Sequence, residues 1–347
     1  LQTVWHKAYP DKEMFSVRPA QRQELARKAF QQRLRSAPGV VCSTEGSIGA
    51  TLLIHGLTVP VPVKVQDCIE RAGSDSDDSE FDAYDDPWKV MRELSQGFHY
   101  VWDWPKDSQG NQIIDEEWLF ARKNWNRYVR HELNRHACTG YDSPFIVASQ
   151  IARECNVGKD DHIHKAWLSW CEQKTKPQPP TLPIWISGFL MDHAVQWAHK
   201  QAVPVILWYE HKAVGDALAK RGMSVFGAGM DVSVQKAQTC ALAIRPHSVG
   251  KQLQAWNRQL LICPPSSGTR SEQLVGRTHR GGQKADQVDV FVYQHTDEFK
   301  RILKRARSNA RYIQQVLGST QKLCFANYVG IDAPAREELR ADEDEDA

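Results

Sequence analysis

The chain has 347 residues, of which 41% are hydrophobic and 25% charged, and its net charge is +2. That is ordinary for a soluble globular protein of about two domains, and the near-neutral total charge points to no partner by itself. The longest apolar runs, such as "VPVILWY", are too short to span a bilayer, and the charged start "LQTVWHKAYPDKEMF" does not read as a secretory signal, so a membrane partner is not expected. Eight dispersed cysteines with no C-x-x-C suit a reducing compartment without a disulfide framework.

In chain order, "RPAQRQELARKAFQQRLRS" predicts a basic helix. "GATLLIHGLTVPVPVKV" predicts strand, with Pro60 and Pro62 demoting its end to an edge or extended segment. The acidic stretch 73–86 reads as a loop. "DEEWLFARKNWNRYVRHELNRHA" opens on acids and closes on bases, which suits a helix dipole. Its Trp118, Phe120, Trp125, Tyr128 and Val129 fit an amphipathic helix, the preferred reading, or a basic arm whose aromatics touch nucleic acid. Cys155, His162, His164 and Cys171 match no zinc spacing, and His162 and His164 would point to different faces of a helix, so no metal site is expected. "KTKPQPPTLP" (174–183) reads as a proline-rich linker.

Beyond it the texture changes. "VPVILWY", "SVFGAG", "TCALAIR", "RQLLICPP" and "VDVFVYQ" read as strands, and "HKAVGDALAKRG" as a helix ending at Gly222. Strands alternating with helices predict a parallel α/β sheet covered on both faces. In such sheets working residues gather beyond the carboxyl ends of the strands. Candidates are therefore expected after "LAIR", after "LLICPP" and around the following helix. Residues 300–311, "KRILKRARSNAR", form a basic run that is either a solvated helix face or an anion-binding one.

The strongest chemical signal is "EQLVGRTHRGGQKADQV" (272–288). Read as a loop turning into a helix, it puts Gln273, Gly276, Arg277 and Arg280 at offsets 0, 3, 4 and 7, on one face. Two permanently charged planar forks and a glutamine on one polar face suit a polyanion, and Gly276 removes a side chain where something must come close. A surface helix making salt bridges has the same spacing.

"QLVGRTHR" carries the Q-x-x-G-R-x-x-R pattern of the sixth motif of superfamily 2 helicases, and "HRGGQ" resembles the H-R-x-G-Q extension of chromatin-remodeller-like ATPases. "RPHSVGKQLQAWNRQLLICPP" is similar to the fifth motif and the strand after it, although Gly250, Lys251, Gln252 and Leu253 stand where many relatives have Gly-Leu-Asn-Leu. Within the family the chain looks most like phage or bacterial DEAD/DEAH helicase proteins, best over 180–320. "RLRSAPGVV" and "VMRELSQGFHYVWD" more weakly resemble the tail of the first motor lobe and its crossing into the second.

The resemblance implies roles. Arg280 would be the arginine finger on the γ-phosphate of ATP, Arg277 would hold the neighbouring phosphate or bridge to acidic residues across the cleft, and Gln273 would orient the pair or the attacking water. Gly276, Gly250 and Gln283 would line the nucleotide. Ser248, Lys251 and Gln254, then His211 and Lys212, then Arg301, Lys304 and Arg305 would contact the nucleic-acid backbone. The expected partners are DNA or RNA, held without sequence preference, the first RecA-like lobe of the same polypeptide, and replication or recombination proteins. The expected place is the cytoplasm of a bacterial or phage-infected cell.

No G-x-x-x-x-G-K-[ST] loop or acidic magnesium motif is present, and residue 1 is Leu, so the expectation is the C-terminal part of a longer helicase, inactive alone, with ATP and Mg²⁺ held mainly by a first lobe. The expected layout is a mixed α/β tail or extension (1–86), a helical Trp-rich insertion and linker (87–183), a second RecA-like lobe (184–325) and an acidic tail (326–347). The alternative is a non-catalytic nucleic-acid-binding or adaptor protein built on a degenerate motor lobe.

Overall fold

The computed structural model describes residues 8–9, 18–37, 48–73, 87–135, 143–232 and 237–331. Most of the acidic loop at 73–86 and of the acidic tail lies outside them. Two compact units result: Leu1–Val61 with Gly188–Ala347, and Pro62–Ser187. The sequence pattern instead suggests divisions at 86, 183 and 325, since the pairing of residues 51–57 with strands far along the chain leaves no local signal.

The first unit begins with α1 (Pro19–Ser36), the expected basic helix, and β1 (Thr51–Leu57). Strand character expected to persist past Pro62 gives way to α2 (Val63–Gly73), which opens the second unit. The Pro62 carbonyl accepts hydrogen bonds from the N–H groups of Val65 and Gln66. Proline suits this place because a helix start already leaves its first N–H groups unpaired.

The second unit continues with α3 (Pro87–Leu94), β2 (Phe98–Trp102), α4 (Glu116–Arg135), α5 (Pro144–Asn156), α6 (His162–Gln173) and β3 (Thr181–Trp185). β2 and β3 pair antiparallel, Phe98 opposite Trp185. The end of the expected linker is therefore a strand. α4 starts where the Asp115 carboxylate accepts the Trp118 N–H at 2.9 Å, and it buries Trp118, Ala121, Trp125 and Val129. Trp118 meets Trp102 and Trp104 edge-on at 5.6 and 5.9 Å, and Trp125 packs on Trp167 at 4.8 Å. These tryptophans form core, with aromatic geometry that adds to their burial.

The first unit resumes with α7 (Phe189–His199), β4 (Ile206–Tyr209), α8 (Lys212–Ala219), β5 (Val225–Phe226), β6 (Cys240–Ala243), α9 (Ile244–His247), β7 (Arg258–Leu261), α10 (Gly268–Thr278), β8 (Gln287–Tyr293), α11 (Asp297–Leu317), α12 (Lys322–Phe325) and β9 (Asn327–Val329). Seven strands among the described residues form one sheet, ordered β5-β6-β4-β7-β8-β1-β9, with every pair parallel. β9 lies within what is expected to be tail, and β1 is held between β8 and β9.

Side-chain alternation along β8 shows how both faces are covered. Val288, Val290 and Val292 join a core with Leu274 and Val275 of α10 and Leu303, Ala306 and Ala310 of α11. On the opposite face Phe291 packs on Trp197 at 4.8 Å, and the Tyr293 hydroxyl lies 2.8 Å from His193 Nδ1, both partners being on α7. β4 repeats the pattern: Ile206 and Trp208 enter the first core, while the Tyr209 ring packs against Gly215 of α8. An all-parallel sheet with helices on both faces is the expected α/β class and is consistent with a RecA-like lobe. Among the described residues no helix is long and apolar enough to cross a membrane.

Candidate functional site

α10 is set by its two ends. At its start the Ser267 hydroxyl accepts the Arg270 N–H at 3.4 Å, and Gly268 lets the helix close on α11. A Cβ at Gly268 would lie 2.6 Å from the backbone N of Ala310 and 2.8 Å from the Ala306 carbonyl. At its end the helix stops at Thr278, with His279 as C-cap. Arg280 therefore lies past the helix, in a turn closed by the Gln283 N–H donating to the Arg280 carbonyl at 3.1 Å. The single helical face expected for Gln273, Gly276, Arg277 and Arg280 holds only for the first three. Gly281 and Gly282 permit the turn, Gly282 at φ +90°.

The helix crosses the sheet, so its basic end lies at the amino-terminal edge of the strands. His279 Nε2 donates to the carbonyl of Ala50, just before β1, and Trp256 Nε1 donates to that of Gln238, just before β6. The expectation that the working residues lie beyond the strands' carboxyl ends therefore fails for Arg277, Arg280 and Gln283. The helix begins at that edge but spends its length returning from it.

Four direct links tie this end of α10 to the segment 251–256. Arg277 Nη1 donates to the Lys251 carbonyl at 3.2 Å, and the Leu253 N–H donates to the Arg277 carbonyl at 3.2 Å. The Gln254 amide donates to the Gly281 carbonyl at 3.3 Å. Gln283 donates to the carbonyls of Trp256 (3.1 Å) and Thr278 (3.0 Å), and its Oε1 accepts the Ala285 N–H. Gln254 and Gln283 thus act here as clamps between the two segments.

The arginines differ in what surrounds them. Burial first, and then the charge of Arg280, lower the Arg277 pKa from its ordinary value. Arg277 Nε is buried without a hydrogen-bond partner among the described residues, as are the Nε atoms of Arg22, Arg92 and Arg258. Arg280 is partly exposed, and its side chain has no ion pair or hydrogen bond among the described residues. Gln273 is exposed, one turn before Arg277. A Cβ on Gly276 would meet only Lys322 Cε, at 3.9 Å, so neighbours in this chain do not demand glycine there.

The other expected residues fall elsewhere. His211 stands at the N-cap position of α8 without a side-chain capping bond and Lys212 is the helix's exposed first residue, both just past the carboxyl end of β4. Ser248 is buried and follows α9, where its N–H donates to the Ile244 carbonyl at 2.9 Å. Gly250 takes φ +75° in open space. Lys251 forms an ion pair with Asp231, and the hydrogen bond from Lys251 holds that carboxyl below its usual range. Arg301, Lys304 and Arg305 are exposed on α11. The structure thus joins the Gly250–Gln254 and Arg277–Gln283 segments, and it leaves His211 and Lys212 at the sheet's other edge.

A buried polar chain that sequence reasoning misses supports the arginine end. Trp208 Nε1 donates to Gln259 Oε1 at 2.7 Å, and Gln259 Nε2 donates to Thr278 Oγ1 at 3.0 Å. It fixes the residue beside Arg277 from beneath. The available signal was Thr278 and His279, two polar residues between arginines, which prove buried.

No protein-family model matches the chain, and no curated protein does. Among solved structures it is similar to the crystal structure of the C-terminal part of the Fun30 ATPase domain, at 13% identity and TM-score 0.36, covering 86% of this chain and 97% of that one. It is also similar to the Hef helicase domain of Pyrococcus furiosus, at 14% identity and TM-score 0.31, covering 72% of this chain and 56% of that one.

Proposed function

We propose that the sheet unit is the arginine-supplying lobe of an ATP-hydrolysing nucleic-acid motor of the superfamily 2 kind. One observation carries this reading. The segments that resemble the fifth and sixth helicase motifs are hydrogen-bonded to each other, and they present one guanidinium with an unpartnered buried Nε and another with no acidic partner among the described residues. Paired guanidiniums fit phosphate oxygens, and their fixed charge favours the charge that develops on a transferred phosphoryl group.

Arg280 is the arginine finger in this reading, Arg277 steadies the adjacent phosphate, and exposed Gln273 aligns the attacking water. The described residues fit only part of a nucleotide site. They bring no three His, Cys, Asp or Glu side chains together as a metal-holding group. In this reading Mg²⁺ and the phosphate cradle fall to a partner lobe, on the same polypeptide or another, because the sequence carries no G-x-x-x-x-G-K-[ST] loop. Nucleic acid is held through its backbone at Lys251, exchanging Asp231 for a phosphate, and along the basic face of α11, while buried Ser248 lies beneath that contact.

The test is ATP turnover by the natural protein. Arg280→Ala is expected to lower kcat by about 10³-fold or more while leaving nucleic-acid affinity within about twofold. An unchanged rate removes Arg280 from this role and leaves the adaptor reading.

A further inference from the structure

α4 is two-sided. Its buried side is Trp118, Ala121, Trp125 and Val129; its opposite side carries Phe120, Lys123, Arg127 and Arg130, all exposed. Positions 120, 123, 127 and 130 follow the three-four spacing of one helical stripe. No acidic residue stands three or four positions from Lys123, Arg127 or Arg130. Instead Arg127 has Lys123 four residues before it, Arg130 three after and His131 four after. Like charges at these spacings repel along the helix, so local i,i+3 and i,i+4 pairing does not explain why Lys123, Arg127 and Arg130 share one stripe.

We propose that this stripe is a nucleic-acid-binding surface of the Pro62–Ser187 unit, separate from every contact assigned to the sheet unit. Lys123 to Arg130 spans about 10 Å along the helix, long enough for the three cations to meet more than one phosphate of a strand laid along it. Phe120 is 67% exposed one turn before Lys123, where its ring meets an unstacked base while the cations follow the backbone. The Arg127 guanidinium lies 5.5 Å from the centre of the Tyr128 ring, which keeps a second aromatic next to the stripe. The proposal stands on α4 alone and does not need the motor reading. The chemistry favours single-stranded over duplex nucleic acid, since only unpaired bases reach Phe120.

The experiment is fluorescence anisotropy on the whole chain, with labelled oligo(dT) and a labelled duplex of the same length, over about 50 to 200 mM salt. All four side chains face solvent, so circular dichroism of the variants should match that of the parent. K123Q/R127Q/R130Q is expected to weaken oligo(dT) binding about tenfold or more and to flatten the log affinity–log salt slope by about 2, roughly 0.7 per lost contact. Phe120→Ala should weaken oligo(dT) binding about tenfold and duplex binding less than about twofold.

Unchanged affinity and slope in the triple variant would overturn the proposal, as would absence of binding by the parent chain. Displacement of oligo(dT) by polyglutamate at equal charge concentration would also overturn it and assign the stripe to an acidic polypeptide. A matched R301Q/K304Q/R305Q variant separates the two readings. Loss there alone sinks the α4 surface and leaves the sheet unit's contacts standing; loss in the α4 variant alone supports the stripe and removes α11 from the motor reading.

Discussion

The two units each bury a titratable side chain between partners, and they draw those partners from very different distances along the chain. In the sheet unit Asp289 on β8 lies 2.8 Å from His55 Nε2, which is 234 positions away, and 3.2 Å from Arg258 Nη2, 31 positions away. Three strands are tied through one carboxylate. In the helical unit His164 on α6 lies between Glu154 Oε2 at 3.0 Å, ten positions away, and Asp161, three positions away. A long-range tie closes large loops and makes strands depend on one another, whereas a short-range tie secures a local turn. The same chemistry therefore has a global reach in one unit and a local reach in the other.

Removing the long-range tie should have the largest effect. Asp289→Ala leaves Arg258 beside an empty place and is expected to destabilise the sheet unit by about 3–5 kcal/mol, measured as a lower midpoint in urea with loss of amide protection across β1, β7 and β8. A loss confined to one strand would break the comparison. The pH dependence follows with a definite sign. Burial opposes ionisation of Asp289, yet hydrogen bonds from Gln287, His55 and Arg258 hold its carboxyl below the usual range. A depressed folded value means that the contribution is present above the unfolded carboxylate value of about 3.9 and is lost as pH falls through the folded one. Asp289→Asn should therefore lose less stability than the parent on acidification below about pH 4.

Next in size is Gly268→Ala. The new methyl would overlap backbone atoms of α11, which cannot swing aside as a side chain would. Overpacking costs about 1–3 kcal/mol, and the gain in helix propensity of up to about 1 kcal/mol offsets only part of it. Thermal unfolding reads the net sign, and stabilisation would show that α10 and α11 do not pack this closely.

His164→Ala should cost about 1–3 kcal/mol by removing a buried ring and its hydrogen bonds to Glu154 and Asp161. Hydrogen bonds, first from Gln150 and then from Lys159 and His164, hold Glu154 below its usual range despite some burial. Hydrogen exchange should show the loosening within α5 and α6, with the sheet amides unchanged. Spread into the sheet would show that the local tie is not local.

What the sequence disclosed divides along the same line. Continuous apolar runs announced β4, β6, β7 and β8, and Q-x-x-G-R-x-x-R announced the arginine end, because each is a local pattern. The place of β1 between β8 and β9, and the strand pairing of Thr181–Trp185, depend on partners far along the chain, and local periodicity does not encode them. Pro62 was readable as a helix start but stood among β-branched residues that argued for strand. Arg280 leaving the helix was foreshadowed by Gly281 and Gly282, yet an offset count alone keeps it on the helical face. The chain Trp208–Gln259–Thr278 left only the faint trace of polar Thr278 standing between arginines, since three polar groups at distant positions look alike whether or not they meet.

The smallest effect compares the two units at matched positions. α11 begins with Thr296, whose hydroxyl accepts the Phe299 N–H at 3.4 Å. α5 begins with Ser143, whose side chain makes no capping hydrogen bond. Both residue types are preferred helix caps, so sequence alone assigns them equal weight. The geometry does not. Thr296→Ala should lower stability by about 1 kcal/mol, while Ser143→Ala should change it by no more than a few tenths. Equal losses from the two substitutions would mean that Ser143 caps α5 after all. A negligible loss at Thr296 would mean instead that α11 is held by the packing of Phe299, Ile302 and Leu303 alone, with its first turn secured by the core and not by its cap.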